Sequence, residues 1–118
     1  MANNRKTGSY YEEQAAVYLE SLGMTVLEHN YRNKRGEIDL IAKESSTIVF
    51  IEVKYRSSTS CGTPGEAVTA GKQRTISRCA LAYMMEHHLP EDNAYRFDVI
   101  SIGSDALKHY RNAFDFCG

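Results

Sequence analysis

The stretch that most constrains the fold is Arg35–Arg56, "RGEIDLIAKESSTIVFIEVKYR". Runs rich in isoleucine, valine and phenylalanine flank Glu44-Ser45-Ser46-Thr47, the pattern of two strands, residues 37–43 and 47–55, joined by a tight turn. With Ser45 and Ser46 as the turn, opposed residues have numbers summing to 91. One face then pairs Ile38 with Val53, Leu40 with Ile51 and Ala42 with Val49. The other pairs Glu37 with Lys54, Asp39 with Glu52, Ile41 with Phe50 and Lys43 with Ile48. A slip of one residue would exchange the two sets, so burial of either face specifies the register.

That register opposes Asp39 directly to Glu52. Opposed Cβ atoms lie about 5 Å apart, and two unit charges at that distance repel by roughly 3 kcal/mol at an effective dielectric of about 20. A favourable cross-strand pair returns only about 0.2–1 kcal/mol. A cation, a neighbouring lysine or a retained proton must make up the difference. Carboxylates on adjacent strands suit magnesium or manganese, which take oxygen ligands and keep waters for phosphate substrates. Lys54 lies on the same face. A solvent-exposed face carrying an ordinary Glu37–Lys54 ion pair is the competing reading, although Ile41 and Phe50 on that face argue for cover.

The 118 residues suit one domain spanning 1–118. No apolar run approaches the length of a membrane span, and the N-terminal "MANNRKTGSYYEE" lacks the apolar segment of a secretory leader. Cys61, Cys79 and Cys117 form no CxxC pair and no even set, which fits a reducing, cytoplasmic setting without disulfides or structural zinc. The net charge of −1 gives no general pull toward nucleic acid. Basic residues nevertheless gather around the hairpin, at Arg32, Lys34, Arg35, Lys54 and Arg56, and again at Lys72, Arg74 and Arg78. They form either a local basic face or solvated surface charge.

"SYYEEQAAVYLESLG" has apolar residues at helical spacing and a glycine stop at Gly23. "MTVLEHNYR" reads as a first strand. Residues 57–65 read as a loop, and Thr63-Pro64-Gly65-Glu66 has the form of a helix start. A longer helix is expected from Lys72 to His88, ended by Pro90, followed by strands "YRFDVISI" and "HYRNAFDF". A crossover from the hairpin through that helix favours a parallel neighbour and so a mixed sheet. "GEAVTAGKQ" lacks the first glycine and the Ser/Thr of a phosphate-binding loop. Tyr10, Tyr11 and Tyr18 read as core and rim, and Asp98 either as a functional residue or as a structural polar contact at the sheet.

"GEIDLIA" followed by "FIEVKYR" resembles the metal-binding core of the PD-(D/E)XK nucleases, in the variant seen in Holliday-junction resolvases. The chain as a whole resembles the YraN-like family of predicted endonucleases, through "YYEEQAAVYLESLGMTVLEHNYR", the hairpin, "GTPGEAVTAGKQRTISRCALAYM", "RFDVISI" and "HYRNAFDF". The resemblance implies an α/β fold with a restriction-endonuclease-like core, a mixed β-sheet flanked by helices. It implies a magnesium- or manganese-dependent nuclease acting on DNA, with RNA open to the same chemistry. Asp39 and Glu52 would ligate the metal, with the Val53 carbonyl as a third ligand, and Lys54 would position or activate the attacking water. The helix acid of the family falls on Glu12, with Tyr11 where glycine is usual and Glu13 alongside. Ile38 replaces the proline of the superfamily name, as in the resolvase-like branch. Arg35, Arg56, Lys72, Gln73 and Arg74 are candidates for contacts to the nucleic-acid backbone. A homodimer would match a two-fold branched substrate. The rival reading keeps the fold as a binding or interaction module without turnover.

Overall fold

A computed structural model describes residues 2–56, 68–104 and 106–117, with side chains described from Tyr10 onward, Arg56 excepted. Its elements are helix α1 (Ala2–Ser21), strands β1 (Thr25–Asn33), β2 (Gly36–Glu44) and β3 (Thr47–Arg56), helix α2 (Ala70–Glu86), and strands β4 (Tyr95–Gly103) and β5 (Leu107–Phe114). The helix start read at Thr63–Glu66 lies outside the described residues. The five strands form one sheet in the order β1-β2-β3-β4-β5. Only the β3–β4 pair is parallel, and the others are antiparallel. The sheet is therefore mixed, as the crossover predicts.

Both described helices end in the same hydrogen-bond pattern. At α1, Met24 N–H reaches the Leu19 carbonyl and Gly23 N–H the Glu20 carbonyl, with Gly23 at φ 93°. At α2, Leu89 bonds back to Met84 and His88 to Met85, and His88 takes the left-handed φ of 56° usually given to glycine. The helix thus ends at Glu86, two residues short of the expected His88 and before Pro90. Thr69 caps the other end of α2, accepting from Lys72 N–H at 3.2 Å. The helix consequently starts two residues earlier than its apolar spacing suggested.

The helices cover opposite faces of the sheet. Ala15, Ala16 and Leu19 of α1 pack with Leu40, Ala42, Val49, Ile51, Ile100 and Ile102. Ile76, Cys79, Ala80 and Tyr83 of α2 pack with Ile41, Ile48, Phe50, Phe97 and Val99. Among the described residues no helix is long and apolar enough to cross a membrane.

The hairpin register follows the sum of 91 from Glu44–Thr47 to Leu40–Ile51. There the ladder stops, and the expected pairs Asp39–Glu52, Ile38–Val53 and Glu37–Lys54 do not form. The expected faces are corrected too. Ile38 lies in the α2-side core with Ile41, whereas Leu40 lies in the α1-side core. Strict alternation would have put Ile38 and Leu40 on one face, so β2 changes face across Asp39. The Val53 N–H, lacking a carbonyl partner on β2, donates instead to Asp39 Oδ2 at 2.8 Å. Replacing a backbone acceptor by a carboxylate satisfies the N–H and splays the strand ends apart.

Candidate functional site

The splayed end of β2 and β3 gathers most of the charged residues singled out in the sequence. Glu52 is only 6% exposed. It follows Phe50 by two residues, so it points toward the α2 side. Lys54 Nζ lies 3.4 Å and Lys72 Nζ 3.7 Å from its Oε2. Burial, then the Asp39 charge, raises Glu52 from its ordinary 4.5 to about 7, against the pull of the two lysines. Burial also raises Asp39, opposed by the Val53 N–H and by the charge of Lys72. Glu12 reaches the same place from α1: burial and the Asp39 charge raise it above the ordinary carboxylate range. Glu13 is exposed and borders a different groove with Tyr10, Val17 and Tyr18. Of the two neighbouring glutamates, Glu12 is thus the one directed toward Asp39.

In all three carboxyl groups the largest cause is burial, and at Glu12 and Glu52 the Asp39 charge adds to it. Among the described residues, no three His, Cys, Asp or Glu side chains come together as a metal-holding group. A magnesium ion does not need such a group, because it is commonly held by one or two carboxylates with the remaining positions filled by water and substrate. The Asp39–Glu52 pair has the oxygen chemistry that suits such an ion.

The backbone-contact candidates divide. Arg35 is exposed on the β1–β2 turn, and Arg74 on the first turns of α2. Lys72 reaches Glu52, a contact not foreseen from the sequence because the two residues meet only when α2 docks on the sheet. The Gln73 amide donates to the Val68 carbonyl at 2.9 Å, so it ties down the entry to α2. The Arg56 side chain lies outside the described residues.

Two further groupings were not legible in advance. Tyr11 stacks on Tyr55 with ring centroids 4.4 Å apart, and Tyr10 meets Tyr11 edge-on. On the α1 face of β4, Asp98 is fully buried. Its carboxylate accepts from Arg96 Nε at 2.9 Å and from Asn112 N–H at 2.9 Å, and meets His109 Nε2 at 2.7 Å. With Nε2 donating to the carboxylate, Nδ1 is the acceptor for the Tyr18 hydroxyl at 3.2 Å. Arg96 continues to Glu44 at 2.7 Å. Asp98 therefore ties β4, β5, α1 and the β2–β3 turn into one network, in keeping with its reading as a structural contact. The only hint in the sequence is a lone aspartate in an apolar strand.

Residues 11–102 match the model of the uncharacterised protein family UPF0102. The chain belongs to that family. UPF0102 includes YraN-like predicted PD-(D/E)XK-related proteins, in agreement with the resemblance drawn from the hairpin. The chain is 41% identical to a UPF0102 protein of Lachnoclostridium phytofermentans over 116 residues, covering 98% of both chains. It is 47% identical to one of Syntrophus aciditrophicus over 102 residues, 86% of this chain and 80% of that protein. A third, from Pelobacter propionicus, is 43% identical across 96% of this chain and 85% of its own length. The UPF0102 match begins at Tyr11 and ends at Ile102. It thus takes in Glu12, the hairpin and Lys72 but leaves out β5.

Proposed function

We propose that this protein is a metal-dependent endonuclease that hydrolyses DNA phosphodiester bonds, with branched or otherwise structured DNA as its substrate. The observation that carries the reading is the pairing of half-buried Asp39 with buried Glu52, both raised in pKa, flanked by Lys54 and Lys72. Family membership supports a nuclease-like function in general terms.

In this reading Asp39, Glu52 and the Val53 carbonyl would hold magnesium or manganese. Bound there, such an ion would offset the charge developing on the phosphate and lower the pKa of a coordinated water. The Val53 N–H fixes one oxygen of Asp39 and so orients the other. Lys54, held beside Glu52, presents its ammonium to the phosphate or to the attacking water. Glu12, raised by burial and by the Asp39 charge, brings a third carboxyl group next to Asp39. The basic side chains of the β1–β2 turn and of α2 draw in the strand. The reading takes the cytosol as the compartment and a homodimer as the form acting on a two-fold substrate.

Purified protein with magnesium should nick or cut four-way junctions, flaps or linear duplex. Asp39→Asn and Lys54→Ala should each lower the rate by at least about a hundredfold. Equal rates in wild type and Asp39→Asn would assign the cutting to a contaminant. DNA binding with no cleavage under any divalent ion would favour a non-catalytic binding module.

A further inference from the structure

A polar cleft of about 340 Å³ opens between the β1–β2 turn and the first turns of α2. Arg32, Lys34, Arg35 and Lys72 line it against a single carboxylate, Glu37. Arg32 pairs with that carboxylate at 3.3 Å. Among the described residues, Lys34 and Arg35 have no ion-pair partner. The cleft therefore carries a clear excess of positive charge although the whole chain is nearly neutral.

Its walls are held in place. Asn33 Oδ1 accepts from Arg35 N–H at 2.8 Å and closes the turn. The amide of the same residue donates to the Cys79 carbonyl on α2 at 3.3 Å. Gly36, at φ 152°, lies so close to the helix that a Cβ there would sit 2.5 Å from Thr75 Cγ2. The Thr75 hydroxyl donates to the Gly71 carbonyl at 3.1 Å, which leaves its methyl for this contact. The turn is thus seated on α2, and three neighbouring cationic residues are held near a fourth on the helix. Like charges gathered on a fixed frame repel one another unless an anion lies between them.

The cleft also has a direction. Lys72 lines it and reaches Glu52 at 3.7 Å, so its inner end adjoins the carboxylate pair. We infer that the cleft is a subsite for a phosphate of the nucleic-acid strand other than the one cleaved, and that it sets the path by which the strand leaves the Asp39–Glu52 pair. This rests on the phosphodiesterase reading above. The phosphate belongs either to an internal linkage or to a strand terminus.

The test uses Asp39→Asn as the parent, so that DNA is not consumed, and a fluorescent four-way DNA junction together with one of its single strands. Affinity is measured across about 50–200 mM salt. Each phosphate contact contributes about one unit to the slope of log affinity against log salt. Lys34→Gln and Arg35→Gln should each make the slope shallower by about 1, while Lys108→Gln on exposed β5 should leave it unchanged. Loss of affinity on removing a 5′-phosphate, in the parent but not in the cleft variants, would identify a terminal phosphate. Equal affinity with and without it, together with the shallower slopes, would identify an internal one.

Unchanged slopes in the Lys34→Gln, Arg35→Gln double variant would overturn the inference, as would an equal change in Lys108→Gln. Wild-type cleavage with unchanged slopes would remove the cleft and keep the nuclease. Shallower slopes without metal-dependent cleavage in wild type would do the reverse. A parent that binds neither DNA would remove both.

Discussion

Glu52 is held in an environment that disfavours its charge. Its folded-state pKa is raised from 4.5 to about 7. Below 4.5 the folded and unfolded chains are both protonated there, and the site is at no disadvantage. As pH rises through the window to about 7, the unfolded chain releases a proton that the folded chain retains, so metal-free stability falls. Glu52→Gln should therefore gain roughly 1–3 kcal/mol over wild type at pH 8 and little at pH 4. Denaturant unfolding in a chelator at both pH values measures this, and parallel pH profiles would refute it. Asp98 has the opposite sign. Burial pushes it up, but His109, Arg96 and the Asn112 N–H outweigh burial and hold it below the ordinary carboxylate range. Its contribution is present above the unfolded value and is lost as pH falls through the folded one. Asp98→Asn, which leaves Arg96 and His109 short of a buried partner, should cost about 3 kcal/mol. Thermal melts should show that loss at pH 7, shrinking toward pH 3.

At the scale of elements, the decisive event is the break in the hairpin. An ideal ladder continued past Leu40 would have paired Asp39 across from Glu52 and turned Ile38 toward α1. Instead β2 changes face, Ile38 joins the α2-side core, and Asp39 takes the Val53 N–H in place of a backbone carbonyl. The turn before β2 is fixed by packing as well. Gly36→Ala would drive a Cβ into Thr75 Cγ2 and also require an unfavourable φ. We expect a loss of about 1–3 kcal/mol. Thr75→Ser, which deletes the obstructing methyl, should restore part of this in the double variant, leaving the backbone component. A double-mutant cycle by chemical denaturation reads the coupling, and strict additivity would show that the contact carries no energy.

At the scale of the molecule, the two described helices cover opposite faces yet both send a charged residue to the same end of the sheet, Glu12 from α1 and Lys72 from α2. A cation bound there, as the proposed function requires, would link two layers and the central hairpin, so that its affinity would contribute to folding stability. At a magnesium concentration a hundred times its dissociation constant, wild type should gain about 2.7 kcal/mol. Asp39→Asn should gain little, and a thermal shift series with calorimetry would check both. Equal shifts in the two proteins would place the ion elsewhere.

The sequence by itself determined the strand and helix order, the mixed sheet, the turn at Ser45-Ser46 and the register near it. Those features follow from local periodicity, turn chemistry and the reach of a crossover. It also singled out Asp39, Glu52 and Lys54, because charges within a covered strand pattern demand an explanation. Only the tertiary structure decided where the hairpin ladder ends, that Lys72 serves Glu52, that Glu12 rather than Glu13 turns toward Asp39, and that Asp98 joins His109 and Tyr18. Each of these depends on which backbone group finds a partner once the helices dock, or on contacts between residues far apart in the chain. Periodicity describes one element at a time and carries no record of what packs against it.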